Sequence, residues 1–181
     1  MLRKLLILFL LLWVGFCFIA NAWPHPLATV TATATATVVE DLTITSEEPL
    51  NFGFITPSPQ GGTVTVSPDN QRSETGGVRT SSSFTRAEFT VRGMAGHSYT
   101  IHTPPSLTFS VKENDDESSQ LLHELIVSHF ITYSTTSGET AAAGKLAQNG
   151  QDRIYLGATL MVPAGAAPGV YSGWVPVTVS Y

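Results

Sequence analysis

Leu27 to Val39, reading LATVTATATATVV, is the stretch that most restricts what this chain can fold into. Ala28, Val30, Ala32, Ala34, Ala36 and Val38 alternate with Thr29, Thr31, Thr33, Thr35 and Thr37. Strict alternation places one set on each face of an extended strand, with the apolar set buried. Thr and Val suit a pleated strand, and neither Pro nor Gly interrupts the run. The run outlasts the common strand of about five or six residues. Its apolar face is nearly all small, so it suits a narrow slot better than a wide core. Such a strand either closes its own sandwich or inserts into a neighbour's.

Ahead of it, Met1 to Ala22 has the form of an export leader. Arg3 and Lys4 supply a positive start, and Leu5 to Ile19 an apolar run. Ala20-Asn21-Ala22 gives a small-x-small cleavage pattern, so the mature chain is expected to begin at Trp23. The apolar run is shorter than the roughly 20 residues of a spanning helix, so no membrane association is expected after cleavage. Periplasm, cell surface or extracellular space is the expected location.

The only cysteine is Cys17, inside the leader. The mature chain therefore has no disulfide, thiolate metal site or cysteine nucleophile, and its fold must be held by its core. A formal net charge of −5 without a basic run argues against nucleic acid or an anionic membrane as partner. Charged residues make up only 13%, amid abundant Thr, Ser, Gly and Ala, which fits an exported β protein.

Trp23-Pro24-His25-Pro26 is expected to be an extended leader to the alternating stretch, which continues through Leu42-Thr43-Ile44 after Glu40-Asp41. Further strands are expected at Leu50–Ile55, Thr63–Ser67, Phe84–Val91, Ser98–Thr103 and Leu107–Val111, with a short one at Val78–Thr80. In Phe84–Val91 the apolar phase slips by one, which predicts a bulge or a strand buried on both faces. Leu121–Tyr133 is mixed: LLHELI has helical spacing, while VSHFITY alternates as a strand. Thr135–Asp152 reads as a long loop of small residues, Arg153–Val162 as a strand, and Val170–Tyr181 as the last strand. Eight to ten short strands, with turn signals about every dozen residues, predict an all-β, antiparallel, immunoglobulin-like sandwich. The paired cysteines around a tryptophan that mark true immunoglobulin domains are missing. The expected organisation is a signal peptide over 1–22, an N-terminal extension and candidate donor strand over 23–45, and a β-sandwich over 46–181.

Little in the chain points to chemistry. His97, His102, His123 and His129 match no metal-ligand spacing, and Asn114-Asp115-Asp116-Glu117 lacks the glycine that a calcium loop needs. No serine sits in a Gly-x-Ser-x-Gly turn. Trp174 and Tyr171 fall on opposite faces of a strand, so they cannot form one sugar-binding platform. Neither an enzyme nor a bound cofactor or metal is expected.

Asn51-Phe52-Gly53, Gly62 to Pro68 (GTVTVSP), Phe89 to Gly93 (FTVRG) and Leu160 to Gly173 (LMVPAGAAPGVYSG) carry a resemblance. They resemble a family of secreted bacterial proteins catalogued as a domain of unknown function, DUF4402, from about Leu42 onward. The Pro-Gly-x-Tyr turn followed by an alternating strand to Tyr181 also resembles the end of chaperone–usher and spore-coat-U-like pilin subunits. That resemblance implies an incomplete sandwich, completed by an N-terminal strand from the next subunit. It makes Ala28, Val30, Ala32, Ala34, Ala36 and Val38 the donor face. Tyr171, Val175, Val177, Val179 and Tyr181 would then line one flank of the acceptor groove. The implied partners are copies of the chain or related subunits, with a periplasmic chaperone and an outer-membrane usher. The expected function is a structural subunit of a surface fibre or pilus, with an adhesive role as an extension of it. The alternative is a self-complemented, monomeric secreted sandwich that binds a carbohydrate or a protein.

Overall fold

The computed structural model describes residues 33–36, 38, 40–81, 83–112 and 121–181. The expected leader Met1–Ala22, the segment Trp23–Pro26, the expected donor-face residues Ala28, Val30 and Ala32, and the run Asn114–Glu117 lie outside the described residues. Val38–Tyr181 forms one compact unit. Of the preceding unit, Thr33–Ala36 is exposed and makes no strand.

The described residues hold thirteen strands and no helix. The first seven are β1 Thr43–Glu48, β2 Phe54–Thr56, β3 Gly62–Val66, β4 Arg72–Glu74, β5 Arg79–Ser81, β6 Ala87–Arg92 and β7 Ser98–His102. Then follow β8 Ser106–Lys112, β9 Leu121–Ser134, β10 Glu139–Thr140, β11 Ala143–Lys145, β12 Gln151–Val162 and β13 Thr178–Ser180. Every pairing is antiparallel, so the all-β sandwich expected from the alternation is the fold found.

The large sheet is built on β12. Ile154, Leu156, Ala158, Leu160 and Val162 are buried along it, while Arg153 and Met161 are exposed on the other face. One edge of β12 pairs with β9; the other pairs first with β6 and then with β3. Gly157 sits at that change of partner, where any side chain would run into the Val66 carbonyl and the Ser67 backbone.

All of Leu121–Ser134 is one strand, so the helical spacing of its first half is overridden. Pairing with β8 holds that half extended, and a bulge lies in the second half. His129 has φ 52°, and the register against β12 shifts between Ser128 and Ile131. One extra residue moves the inward set from Leu125 and Val127 to Phe130, Thr132 and Ser134. That phase change breaks the alternation of the second half.

Other boundaries differ from the pattern. The expected loop over Thr135–Asp152 contains β10 and β11, and Asp152 lies inside β12. The last strand is regular only over Thr178–Ser180. β6 begins at Ala87, and the irregularity expected within it lies across the ladder instead, in β1 between Ser46 and Glu48.

A smaller sheet, β11-β7-β13, forms the second layer, and β2 and β5 make a separate ribbon. The interior divides into two clusters. Val64, Val66, Val127, Leu160 and Val162 centre one, packed with Phe52 and Val78. Val91, Tyr99, Ile101, Leu146 and Ile154 centre the other. Leu146 and Ile154 are fully enclosed, each contributing about 1.5–3 kcal/mol through burial.

Candidate functional site

Two strands from different sheets end the sandwich on one side. β1 pairs only with β6, and β13 pairs only with β7, so each presents a free edge among the described residues. The two strands approach each other. Ile44 on β1, with Leu42 just before it, and Val177 and Val179 at β13 all pack on the second cluster. All four remain only half-buried. The seam is therefore apolar and flanked by two unpaired strand edges, the arrangement to which an extended segment can add.

The C-terminal segment is held at both ends of this seam. At one end, Ser172 bridges to Ser110 on β8, and Gly173 lies against the Phe109 ring, where a side chain would collide. Tyr171 donates its hydroxyl to the Ala167 carbonyl at 3.0 Å and packs on the first cluster. At the other end, the Tyr181 hydroxyl accepts the Met94 N–H at 2.7 Å, and the ring meets His97 edge-on. Ser180 Oγ lies 3.2 Å from His102 Nε2. Between these anchors, Gly173 to Val177 makes no backbone pairing among the described residues. Pro176 has no N–H to give, and Trp174 is 95% exposed.

β7, the one ladder partner of β13, is itself fixed to the large sheet by a buried carboxylate. Asp152, 3% exposed on β12, accepts Tyr99 Oη at 2.6 Å and Ser134 Oγ at 2.5 Å on Oδ2. Its Oδ1 accepts Thr135 Oγ1 at 3.2 Å, Thr136 N–H at 3.0 Å and Arg153 N–H at 2.8 Å. Burial pushes the Asp152 carboxyl up, but the bonds from Ser134, Tyr99 and Thr136 outweigh it and hold the group below its ordinary value. Burial drives the Tyr99 phenol far above its usual range, with the hydrogen bond to Asp152 and its charge adding to the shift.

Of the five acceptor-flank residues expected from the sequence, Val177 and Val179 lie at the seam. Tyr171 belongs to the first cluster instead, Val175 is half-buried outside both, and Tyr181 is a 46% exposed anchor. Of the donor face, Ala34 and Ala36 are exposed without strand structure, and Val38 is 91% exposed. The opposite flank, Leu42 and Ile44, was not singled out by the sequence pattern, which folds them into the tail of the alternating stretch. Tyr99 and Asp152 were missed as well. The available signal was Asp152, an acid at the inward parity of an otherwise apolar alternating strand.

A family model for a domain of unknown function, DUF4402, matches residues 42–181. The chain belongs to this family. The DUF4402 domain so matched opens at Leu42, on one flank of the seam, and closes at Tyr181, which anchors the other. The alternating stretch Leu27–Val39 precedes it. No curated protein matches the chain.

Proposed function

We propose that this protein is a structural subunit of a bacterial surface fibre, assembled by strand exchange between copies. The observation that carries the reading is the seam: half-buried Leu42, Ile44, Val177 and Val179 between two free strand edges. The alternating stretch before residue 42 has the length and parity to add a strand there, with its small Ala and Val face turned inward. A full ladder of new hydrogen bonds would make the joint kinetically durable. In this reading the chain is exported and handled by a periplasmic chaperone and an outer-membrane usher. It carries out no catalysis, and adhesion is a further role of the assembled fibre.

One observation favours the alternative of a self-closed secreted binding domain. Val91, Leu146 and Ile154 at the centre of the second cluster are already fully enclosed without any added strand. An SDS gel of the exported protein, with and without boiling, separates the two. A ladder that survives detergent and collapses on heating supports strand exchange; a single monomer band in both lanes supports the closed domain.

A further inference from the structure

An open cleft of about 330 Å³ lies where the β6–β7 turn, the β11–β12 turn and the lead-in to β1 come together. That volume is at the small end of ordinary ligand sites. Its hydrogen-bonding walls come from Glu40, Arg92, Gln148, Asn149 and Gln151. We propose that this cleft binds one unit of a neutral saccharide.

The chemistry of the walls selects the ligand. Arg92 and Glu40 are the charged groups lining it, one of each sign, so neither an anion nor a cation is favoured overall. A single carboxylate is too few for a hard cation, which takes six to eight oxygen ligands. Beside the Ala95 methyl group, the remaining side chains are the carboxamides of Gln148, Asn149 and Gln151, which both donate and accept, as a ring of hydroxyls requires. Neither Glu40, Arg92, Gln148 nor Gln151 makes a side-chain hydrogen bond or ion pair among the described residues. Asn149 uses its Oδ1 to accept the Gln151 N–H at 3.1 Å, which leaves its amide N–H groups as donors. The Tyr181 hydroxyl stands against Gly93, a residue of the cleft, while it accepts the Met94 N–H.

The walls are also held in place before any ligand arrives. Gly93 N–H donates to the Gly150 carbonyl at 3.0 Å, and Ala147 and Gly150 close the β11–β12 turn with bonds of 2.9 and 3.0 Å. Gly96 N–H reaches the Leu146 carbonyl at 3.1 Å, which ties the two turns together again. These bonds fix the backbone of the walls, so what binding must still order is their unpartnered side chains. The cleft lies wholly within the domain from Val38 onward and adjoins one end of the β1–β13 seam, where Gly93 stands against both Leu42 and Tyr181.

Saturation-transfer NMR on the full exported chain tests this, because it reads ligand signals whether the protein is monomeric or polymerised. The probes are glucose, galactose, mannose and N-acetylglucosamine at millimolar concentration, with glucuronate as the anionic comparison. The expected result is transfer to at least one neutral sugar, reduced at least fivefold by Arg92→Ala and by Gln148→Ala with circular dichroism unchanged. No transfer to any neutral sugar overturns the proposal, as does transfer to glucuronate alone or transfer that both variants leave intact. Failure here leaves the SDS ladder unaffected, so the two readings stand or fall separately.

Discussion

Tyr99 on β7 donates a 2.6 Å hydrogen bond to the carboxylate of Asp152 on β12, and this contact joins the small sheet to the large one inside the core. An isolated charge there would be expensive. Asp152 is tolerable because Ser134, Thr135, Thr136 and Arg153 complete its shell of donors. The consequence reaches the edge, since β13 hangs from the same β7.

Asp152→Asn keeps the shape but turns half of the acceptor into a donor facing Tyr99 and Ser134. It is expected to cost about 2 kcal/mol, and Tyr99→Phe about 1–2 kcal/mol, because each loses a charge-assisted bond in the interior. Urea unfolding of both variants and the double variant measures this. Fully additive losses would mean that the two groups do not interact.

Stability should fall at both ends of the pH scale. Asp152 has a lowered pKa in the folded state, so its contribution is complete above about pH 4 and is lost as pH falls below that. Tyr99 has a raised pKa, so its contribution is complete below about pH 10 and is lost as pH rises beyond it. Thermal melts across pH should therefore show a shallower acid slope for Asp152→Asn and a shallower alkaline slope for Tyr99→Phe.

Gly157 and Gly138 provide a paired test of why glycines are needed. At Gly157 a methyl group would meet the Val66 carbonyl within the sheet, and Gly157→Ala is expected to cost about 2–3 kcal/mol. Gly138 has open space around it and only its φ of 69° to satisfy, so Gly138→Ala should cost about 1 kcal/mol. Equal losses in thermal unfolding would show that the sheet relaxes around the added methyl group and that crowding at Gly157 is not the larger penalty.

If the seam receives a strand, the backbone amides of Trp174, Val175 and Val177 should exchange hydrogen quickly in the monomer and slowly in the multimer. Exchange that stays fast in both states would remove this edge from the joint. Deleting Trp23–Val39 should abolish multimers and leave a folded domain. Ala34→Arg should block assembly by placing an unpaired charge in an apolar slot.

Much of the architecture was legible because alternation is local. Thr63–Ser67, Ser98–Thr103 and Leu107–Val111 each announce themselves within five or six residues, and each is a strand close to its expected bounds. Leu121–Ser134 was harder, since Leu121–Ile126 has helical spacing and the bulge at His129 shifts the phase of the rest. Val170–Tyr181 misled in the opposite direction. Its pattern is that of a strand throughout, but Pro176 lacks a donor and Gly173 to Val177 finds no partner.

Residue order alone was enough to specify an antiparallel β fold, a cysteine-free core and an alternating stretch with one small apolar face, because these depend on neighbours along the chain. Only the tertiary structure decided that Asp152 meets Tyr99, that β1 and β13 end their sheets beside each other, and that Glu40 and Arg92 face one cleft. Those relationships depend on which edges pair, and pairing joins residues that the local period cannot connect.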